Sequence, residues 1–498
     1  MPSVAPTDST IAIARHAPAR RRRTKIVATL GPATDDEDTL ASLFETGVDV
    51  ARVNFSHGSA EQQADRIERV RRVANRVGRY VGIMGDLQGP KIRIESFTAG
   101  QTLLQKEAAF TLDTAMNPSA GTDSAVGVAY RNLVNDVIAG DMLLLNDGQI
   151  VLSVLEITGT EVRCKVVRGG VLSNRKGLNK QGGGLTAGAL TAKDRKDIVT
   201  AAKLDIDFIA VSFVRGAGDV GEARRLLTEA GGSGHIIAKI ERAEAVENID
   251  AIIDASNAIM VARGDLAVEV GYAAMTGLQK GLIRTARSRN KVSITATQML
   301  ESMISNPSPT RAEVSDVANA VMDGTDAVML SAETAVGQYP VEAVRTMAAV
   351  CVGAEKHETA RSRVFVRDDD RFEHVDQAIA MAAMYTANHL SVKAIIALTE
   401  SGSTALWMSR RRSDIPIYAL TRHEGSRRRV ALYRGVYPVS FDVVKVERDE
   451  IRRAAIALLR ESGDLAPGDL VLFTYGQQKG VAGATNTMQI LTVPFDGA

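Results

Sequence analysis

Short apolar runs alternate with segments of helical spacing along most of the chain. Eight such runs are nearly continuously apolar up to their carboxyl ends: TKIVATLG, VDVARVNFS, YVGIMGD, DFIAVSF, HIIAKIE, AIMVARGD, KVSITATQ and AVMLSAE. This pattern is typical of strands buried on both faces. Because strand–helix alternation favours a parallel sheet with right-handed crossovers, the eight units predict an α/β fold, a (β/α)₈ TIM barrel over 24–92 and 188–357.

The alternation stops after Arg93 and resumes near Gly188. The intervening sequence contains strand-like runs joined by two turn signals, Asp147-Gly148 and Thr158-Gly159. We therefore predict a small β-barrel-like domain, 93–187, inserted as a lid between the third barrel strand and its helix.

A C-terminal α/β regulatory domain is predicted over 358–498. The charged stretch KHETARSRVFVRDDDRFEHVD indicates a linker, and beyond it apolar runs alternate again with helical segments, from VKAIIALT to NTMQILTV. At the other end, residues 1–23 are small, polar and finally basic, which predicts a disordered tail. An organelle transit peptide is the alternative interpretation of this tail.

The composition excludes several classes of function. The 498 residues carry 60 Lys and Arg against 59 Asp and Glu, so no strong net charge favours nucleic acid or a membrane surface. Only two cysteines are present, Cys164 and Cys351, which fits a reducing compartment. No apolar run approaches the ~18 residues that a spanning helix needs. We expect a cytoplasmic protein that binds neither nucleic acid nor membrane.

Polar residues end six of the eight predicted barrel strands. In a TIM barrel the active site lies at these carboxyl ends, and side chains two residues apart share one strand face. The strand-end residues are Arg52, Asn54 and Ser56, Asp86, Lys239 and Glu241, Gly264 and Asp265, Thr295 and Thr297, and Ser331 and Glu333.

This set fits phosphoryl transfer, in which fixed cations and a metal ion stabilise the charge on the moving group. Arg52 can bind phosphate oxygens as a fork, and Lys239 offers a point charge. Glu241 and Asp265 are oxygen ligands of the kind that Mg²⁺ takes. The chain has no GxxxxGK[ST] loop, which excludes a P-loop kinase.

Each of these residues also has an ordinary structural interpretation. Lys239 and Glu241 could form only an ion pair, and Asp265 could cap the following helix. Asn54 and Ser56 could be routine residues of a loop entrance.

Long motifs of this chain resemble those of pyruvate kinases, and the match runs from about Lys25 to the C-terminus. The motifs are ARVNFSHG, GDLQGPKIR, IAKIERAEAV, VARGDL, TATQMLESM, NPSPTRAEVSDVANAVMDGTDAVMLSAETAVGQYP and TESGSTA. Two further motifs, GGGLTAGALT and ALYRGVYP, resemble those of a bacterial branch of the family whose members respond to sugar phosphates or AMP. The resemblance implies that phosphoenolpyruvate and ADP give pyruvate and ATP, with Mg²⁺ or alternatively Mn²⁺ as cofactor, in an allosteric homotetramer.

The resemblance also implies roles for the strand-end residues. Arg52 would hold the substrate phosphate, and Lys239 would steady the phosphoryl group and the enolate oxygen. Thr297 would help to deliver a proton to the enolate. The implied Mg²⁺ ligands are Glu241 and Asp265, and the backbone amides that would receive the substrate carboxylate are those of Gly264 and Asp265.

Two further sets of residues follow from the resemblance. The nucleotide would face Asn54, His57, Arg93 and Lys176, beneath a lid that closes and excludes water, with Gly89-Pro90 in its hinge. His57 could instead make only local hydrogen bonds, and Lys176 could be plain lid surface. An effector phosphate would bind the turn that carries Thr399, Ser401, Ser403 and Thr404, for which an ordinary capped turn is the alternative.

Two positions depart from the family pattern. Ala267 stands where Gly is usual, which leaves open whether the backbone there needs a positive φ. Ser403 stands where many bacterial relatives carry a basic residue, which leaves the effector's identity open.

The stretch GDLQGPKIR bears on the need for a monovalent cation. Pyruvate kinases that need K⁺ hold it through the residues matching Asn54, Ser56, Asp86 and the Leu87 carbonyl, and they carry Glu where this chain has Lys91. Lys91 brings its own positive charge to the mouth of the barrel, by which we mean the end where the barrel strands finish. We therefore predict catalysis that needs Mg²⁺ but not K⁺. The alternative is that Lys91 faces solvent and the four-residue cage still binds an ion.

Two other functions stay open on the sequence alone. One is a different barrel enzyme that acts on phosphoenolpyruvate or a similar enolate. The other is a non-catalytic protein, either a metabolite-sensing paralogue or a nucleic-acid binder that uses Arg20–Arg23.

Overall fold

The computed structural model describes residues 22–359, 372–478 and 480–495. Eight parallel strands close into a barrel in which each strand pairs with its neighbours in sequence. We label them β1 to β8 in chain order: Lys25–Thr29, Val50–Asn54, Gly82–Asp86, Phe208–Val211, His235–Ile240, Ala258–Ala262, Val292–Ala296 and Ala327–Leu330. They coincide with the eight predicted strands, so the predicted TIM barrel is confirmed.

Helices connect successive barrel strands and cover the outside of the barrel. Several begin where a polar side chain accepts a hydrogen bond from the first helical turn, as Asp36, Ser59 and Thr191 do. The helices of this part are Glu37–Thr46, Ala60–Arg76, Ala192–Lys203, Ala217–Glu229, Ala243–Glu247, Ile249–Ala255, Arg263–Val270, Tyr272–Ser288, Arg311–Asp323, Ala332–Ala335 and Pro340–Thr359, with 3₁₀ turns at Pro32–Thr34 and Glu301–Ile304.

The sequence between β3 and helix Ala192–Lys203 forms two small sheets, which we call the insert. Its core is a separate cluster that includes Phe110, Leu143 and Leu152. The strands are Gln101–Leu104, Ala109–Asp113, Ala125–Gly127, Met142–Leu145, Ile150–Thr158, Glu161–Arg168, Gly170–Ser173 and Leu178–Lys180, with one short helix, Leu133–Asp136. Gly148 and Gly159, both at positive φ, lie between adjacent antiparallel strands, as the turn signals predict.

The C-terminal part contains a five-stranded sheet covered by helices. Its strands are Ala394–Leu398, Ile417–Thr421, Val436–Ser440, Leu470–Gly476 and Thr485–Thr492, and its helices are Val375–His389, Ser403–Ser409, Glu424–Val430 and Ile451–Glu461. The last strand is antiparallel to its neighbour. An α/β domain at this end is therefore confirmed.

The C-terminal domain closes the end of the barrel at which the strands begin. Val27, Met84 and Phe208 of the barrel strands share one buried cluster with Met408 and Leu432 of the C-terminal domain. The opposite end, where the strands finish, is the end available for a substrate.

The described chain begins with two arginines fixed on the barrel. Arg22 pairs with Asp49 at 2.8 Å, and the Arg23 amide donates to Glu355 at 3.0 Å. The rest of the predicted tail, residues 1–21, and most of the predicted linker, 360–371, lie outside the described residues. Within the described residues, no helix combines the length and the apolar character that crossing a membrane requires.

Candidate active site

Lys239 lies in a buried ionic network at the carboxyl ends of the barrel strands. Its Nζ is 3.2 Å from Asp86 Oδ1 and 2.9 Å from Glu241 Oε1, and it donates a hydrogen bond of 2.7 Å to Ser212 Oγ. Burial alone would lower the pKa of Lys239, but Asp86 and Glu241 raise it above its ordinary value. Lys239 is therefore a fixed positive charge at neutral pH.

Arg52 lies on the other side of Asp86 from Lys239. Its Nε is 2.6 Å from Asp86 Oδ2, and its Nη1 donates to Thr29 Oγ1 at 2.9 Å. Burial would raise the pKa of Asp86, but Arg52 and Lys239 lower it below its ordinary range. The Asp86 carboxylate thus holds two cations side by side, in an arrangement suited to a phosphate group.

Glu241 and Asp265 can hold a divalent metal ion. Glu241 is buried, and its Oε2 accepts the Phe213 amide at 2.7 Å. Burial raises the pKa of Glu241, Lys239 opposes this effect and the nearby Asp265 adds to it. A bound cation would relieve the repulsion between the two carboxylates, and two protein ligands leave positions for water and substrate oxygens, so the residues fit Mg²⁺.

Lys91 pairs with one of these two carboxylates, that of Asp265. Its Nζ is 3.0 Å from Asp265 Oδ1, and the two side chains are 28% and 24% exposed. Gly177 of the insert lies above it, so close that a Cβ there would be 3.3 Å from Lys91 Cε. Lys91 is half-buried beneath the insert, and it does not simply face solvent.

Asp265 does not cap the helix in which it lies. Helix Arg263–Val270 begins without a side-chain cap, and the Asp265 side chain is paired with Lys91. The structural alternative considered for this residue is therefore not observed.

Thr297 follows β7 in a left-handed conformation, with φ +68°, which is rare for a β-branched residue. Its hydroxyl accepts the Gly264 amide at 2.8 Å and ties β7 to the first turn of helix Arg263–Val270. Arg263 holds the Thr297 carbonyl at 2.6 Å and both oxygens of Asp316 at 2.7 Å. The unusual backbone is thus supported from helix Arg263–Val270, which follows β6.

The insert rests on the helix that carries Asp265. Val268 of that helix packs against Leu144 and Val151 of the insert. Ala267 lies inside the same helix, 4% exposed, and its carbonyl accepts the Gly271 amide at 3.0 Å. Since this is ordinary helical backbone, glycine is not required at Ala267, which answers the question that the sequence left open.

Comparison with known proteins agrees with this geometry. The family model described as pyruvate kinase, barrel domain, matches residues 21–344, and the model described as pyruvate kinase, alpha/beta domain, matches residues 377–491. The chain belongs to the pyruvate kinase family.

Relatives of similar length support the same assignment. The chain is 53% identical over 478 residues to pyruvate kinase II of Salmonella typhimurium, covering 95% of this chain and 99% of the relative. It is 51% identical over 481 residues to a pyruvate kinase of Buchnera aphidicola, covering 95% and 99%, and 51% identical over 475 residues to that of Haemophilus influenzae, covering 94% and 98%.

Protein donors already engage members of the set Asn54, Ser56, Asp86 and Leu87, which the resemblance matched to a K⁺ cage. Asn54 Oδ1 accepts the Ser56 amide at 3.0 Å, and the Leu87 carbonyl accepts the Ser212 hydroxyl at 2.8 Å. The fourth member, Asp86, is bound to Arg52 and Lys239. Lys91 does not fill the cage, because its ammonium is paired with Asp265.

The predicted nucleotide residues are only partly brought together. Arg93 and Lys176 lie on paired segments, with the Ile94 amide donating to the Lys176 carbonyl at 3.0 Å, and Arg93 donates to the Arg175 carbonyl at 2.9 Å. His57 is exposed after β2, and its carbonyl accepts Gln63 at 3.2 Å. Within the described structure, no hydrogen bond joins His57 to Arg93 or Lys176.

Ser212 belongs to the site although the prediction did not include it. It accepts from Lys239, donates to the Leu87 carbonyl and is 1% exposed. The available signal was its place at the end of the run DFIAVSF, where β4 finishes.

Two predicted strand-end residues do not face the mouth. Thr295 is fully buried and donates to Thr325 Oγ1 at 3.0 Å, just before β8 begins. Glu333 is buried and accepts the amides of Leu300 and Ser331 at 3.2 and 2.6 Å. Because β7 ends at Ala296 and Thr297 takes a positive φ, the two-residue alternation does not extend from Thr295 to Thr297.

The predicted effector turn lies beside a cavity of about 240 Å³ in the C-terminal domain. Thr399 and Thr404 line this cavity, whereas Ser401 and Ser403 are not among the residues that line it. Ser403 Oγ instead donates to Asp376 at 3.4 Å. Gly402 has φ +92°, and its amide donates to Thr399 Oγ1 at 2.9 Å, so the turn is also internally capped.

Proposed function

We propose a residue-level mechanism for the pyruvate kinase reaction of this chain, in which phosphoenolpyruvate phosphorylates ADP to give pyruvate and ATP. The observation that carries it is the position of Lys239, held by Asp86, Glu241 and Ser212 at the carboxyl ends of the barrel strands. Three partners fix the ammonium before the substrate arrives, so little reorganisation is needed during the reaction.

Lys239 and Arg52 stabilise the charge that develops during the transfer. The bond between phosphorus and the enol oxygen breaks, and a bond between phosphorus and a β-phosphate oxygen of ADP forms. Lys239 faces the phosphoryl group and the enolate oxygen, and Arg52 binds phosphoryl oxygens. The electron pair released to the enolate is used at its terminal carbon, which takes a proton with the help of Thr297 and becomes the methyl group of pyruvate.

Substrate binding also engages the first turn of helix Arg263–Val270. The amides of Gly264 and Asp265 receive the substrate carboxylate, as amides at a helix N-terminus can. The Gly264 amide is bonded to Thr297 Oγ1 in the free protein. Binding of the carboxylate therefore frees the Thr297 hydroxyl oxygen to accept a hydrogen bond, for example from a water that delivers the proton, while the hydroxyl hydrogen stays donated to the Ala296 carbonyl at 2.7 Å.

Pyruvate kinases need a divalent metal ion, and Glu241 and Asp265 are the residues that would hold it in this chain. We assign Mg²⁺, with Mn²⁺ as an alternative, because both ligands are hard oxygen donors. When bound, the ion supplies positive charge to the substrate's phosphate and carboxylate oxygens. Lys91 supplies a further fixed charge at Asp265, so K⁺ is not required.

The insert acts as the lid over the nucleotide. Arg93 and Lys176 are carried on paired segments of the insert, while Asn54 and His57 come from the end of β2 and the following loop. Closing the insert on the mouth brings the two groups together around ADP and excludes water. Gly89, at φ +66° beside Ser212, belongs to the hinge.

Regulation is assigned to the C-terminal domain. The cavity beside Thr399 and Thr404 also has Arg448 and Arg452 in its lining, which suits a phosphorylated effector such as a sugar phosphate or AMP. The active assembly is a homotetramer, in which subunit rotation couples this cavity to the barrel.

The variant Lys239→Met tests the mechanism, with pyruvate formation from phosphoenolpyruvate and ADP as the readout. We expect kcat to fall by at least about 100-fold, because a preorganised charge is removed from the transition state. The exposed Lys203, at the end of helix Ala192–Lys203, provides the control: Lys203→Met keeps the wild-type rate. A Lys239→Met rate within threefold of the control would contradict the mechanism.

A further inference from the structure

The chain leaves β7 through two consecutive residues in the left-handed region. Thr297 has φ +68° and Gln298 has φ +54°, and neither is glycine. Side chains disfavour this conformation, which persists only where surrounding contacts hold it. The turn also carries the hydroxyl group to which we assign a part in proton delivery. Whatever holds the turn therefore sets the position of that hydroxyl at the mouth.

Arg263 contacts the backbone of this turn with two of its nitrogens. Its Nη2 donates to the Thr297 carbonyl at 2.6 Å, and its Nε donates to the Ala296 carbonyl at 3.3 Å. The same Ala296 carbonyl accepts the Thr297 hydroxyl at 2.7 Å. Arg263 thus holds both the peptide that follows Thr297 and the acceptor that orients its hydroxyl.

The guanidinium group of Arg263 is itself fixed by two helices. Its Nη1 donates to both oxygens of Asp316 at 2.7 Å, in helix Arg311–Asp323, and to Gln279 Oε1 at 3.4 Å, in helix Tyr272–Ser288. Arg263 is only 8% exposed. Since each of its three nitrogens donates to a protein acceptor, Arg263 can act on the reaction only through the residues that it holds.

Thr297 is joined to the start of helix Arg263–Val270 at its hydroxyl and at its carbonyl. The Gly264 amide donates to the hydroxyl at 2.8 Å, and Arg263 donates to the carbonyl at 2.6 Å. In our proposed mechanism the substrate carboxylate takes the Gly264 amide, so the bond at the hydroxyl is lost when substrate binds. The bond from Arg263 uses no group that the substrate needs, and it remains.

We propose that Arg263 is a positioning residue for proton delivery to the enolate, acting through Thr297. This inference rests on the role proposed above for Thr297. In the substrate complex Arg263 keeps the hydroxyl oxygen in place, so that it accepts a hydrogen bond from a water. The water gives a proton to the terminal carbon of the enolate, and the hydroxide left behind takes a proton from solvent. Loss of Arg263 should therefore impair proton delivery more than phosphoryl transfer.

Two measurements separate proton delivery from phosphoryl transfer. The groups that protonate the enolate also remove a proton from the methyl group of bound pyruvate, because the two directions share one transition state. The full-length protein is therefore given pyruvate, Mg²⁺ and ATP in D₂O, and the exchange of the methyl protons is followed by NMR. The rate of ATP formation from phosphoenolpyruvate and ADP measures phosphoryl transfer.

Arg263→Lys keeps the positive charge, but one ammonium group cannot replace a fork that binds two carbonyls and Asp316. We expect methyl exchange to fall by at least about 10-fold and ATP formation by no more than about threefold. Asp316→Asn loosens the support of Arg263 and leaves the guanidinium in the protein. It should lower methyl exchange selectively but by a smaller factor, and it provides the test if Arg263→Lys does not fold.

Arg224→Lys is the matched control. Arg224 is also half-buried and donates to the Ala255 carbonyl at 2.9 Å, but this contact precedes β6 and lies at the end of the barrel opposite the mouth. This variant should keep both the methyl exchange rate and the rate of ATP formation.

A double-mutant cycle tests whether Arg263 acts through Thr297. Thr297→Ala removes the hydroxyl and should lower methyl exchange at least as much as Arg263→Lys does. Adding Arg263→Lys to Thr297→Ala should then lower the exchange rate by less than about twofold, because the group that Arg263 positions is already absent.

Three outcomes would overturn the proposal. Equal losses of methyl exchange and ATP formation in Arg263→Lys would show that Arg263 only supports the fold. Full additivity with Thr297→Ala would show that Arg263 does not act through Thr297. Unchanged exchange in Arg263→Lys beside a clear loss in Thr297→Ala would reject Arg263 alone, whereas unchanged exchange in Thr297→Ala would refute the role proposed for Thr297 itself.

Discussion

The Lys91 ammonium lies 3.0 Å from the Asp265 carboxylate, which belongs to the pair that can hold the divalent metal ion. It does not lie in the cage formed by Asn54, Ser56, Asp86 and Leu87. In our account Lys91 replaces K⁺ by adding positive charge near the active site, while protein donors already engage Asn54 Oδ1, the Leu87 carbonyl and the Asp86 carboxylate.

Ser212 should act as a positioning residue for Lys239. Removing its hydroxyl in Ser212→Ala leaves Lys239 with two carboxylate partners, so we expect kcat to fall by about 10-fold with little change in KM for phosphoenolpyruvate. Steady-state kinetics measure both parameters.

Thr295→Val is the matched control for Ser212→Ala. It removes another buried strand-end hydroxyl, one that bonds to Thr325 away from the mouth. This change should lower thermal stability and leave kcat unaltered. Equal kcat losses in the two variants would show that Ser212 acts only through general packing.

Mg²⁺ affinity should weaken as the pH falls. Burial and the nearby Asp265 raise the pKa of Glu241, so the metal-free protein binds a proton at Glu241 at a higher pH than an ordinary carboxyl does. Mg²⁺ must displace this proton, so its half-saturating concentration rises as the pH falls through the raised pKa. Calorimetric titration of Mg²⁺ between neutral and acidic pH measures this change.

Glu241→Gln separates this effect from general acid sensitivity. The variant cannot bind the proton, so its weaker Mg²⁺ binding should depend less on pH than that of the wild type. Wild-type Mg²⁺ affinity that stays constant across the same range would contradict the assigned metal ligand.

Gly89 should tolerate no side chain. It has φ +66°, and a Cβ would lie 2.7 Å from Ser212 Cβ and 2.8 Å from Phe213 Cδ2. Gly89→Ala therefore combines backbone strain with a clash against rigid neighbours, and we expect a loss of at least about 1 kcal/mol in the free energy of unfolding. Because Ser212 would move, kcat should fall as well.

Gly221→Ala controls for the general effect of adding a methyl group. Gly221 lies in helix Ala217–Glu229 with open space around its Cβ position, so alanine there should stabilise by about 0.5–1 kcal/mol. Chemical denaturation compares the two variants. A neutral Gly89→Ala would refute the close approach between the hinge and the end of β4.

The sequence predicted the barrel because each of its strands is a self-contained apolar run. Each run could be recognised without knowing which strand it pairs with, because sequential parallel pairing follows from the strand–helix alternation. The shared face of Lys239 and Glu241 could also be predicted from the sequence. The two residues are two positions apart on one strand, where side chains alternate regularly between faces.

The two-residue alternation of side chains gave a wrong prediction where the backbone leaves the strand. Thr295 and Thr297 have the same spacing as Lys239 and Glu241, but β7 ends between them and Thr297 takes a positive φ that no pattern indicated. Ser212 was missed because its role depends on Lys239, which lies on β5, and on Leu87, which directly follows β3. Pairings between distant segments, such as Lys91 with Asp265, are likewise set by tertiary structure and not by local spacing.

The dependence of catalysis on K⁺ tests the central account of the mouth most directly. Pyruvate formation from phosphoenolpyruvate and ADP is measured with Mg²⁺ in buffer free of Na⁺ and K⁺, and again with K⁺ added, for the wild type and for Lys91→Glu. We predict wild-type rates that agree within about twofold in the two buffers, and a Lys91→Glu rate that is at least about 10-fold lower without K⁺ and recovers with it. A wild-type rate that rises more than about 10-fold on addition of K⁺ would contradict the account, because Lys91 would then not supply the charge that the mouth requires.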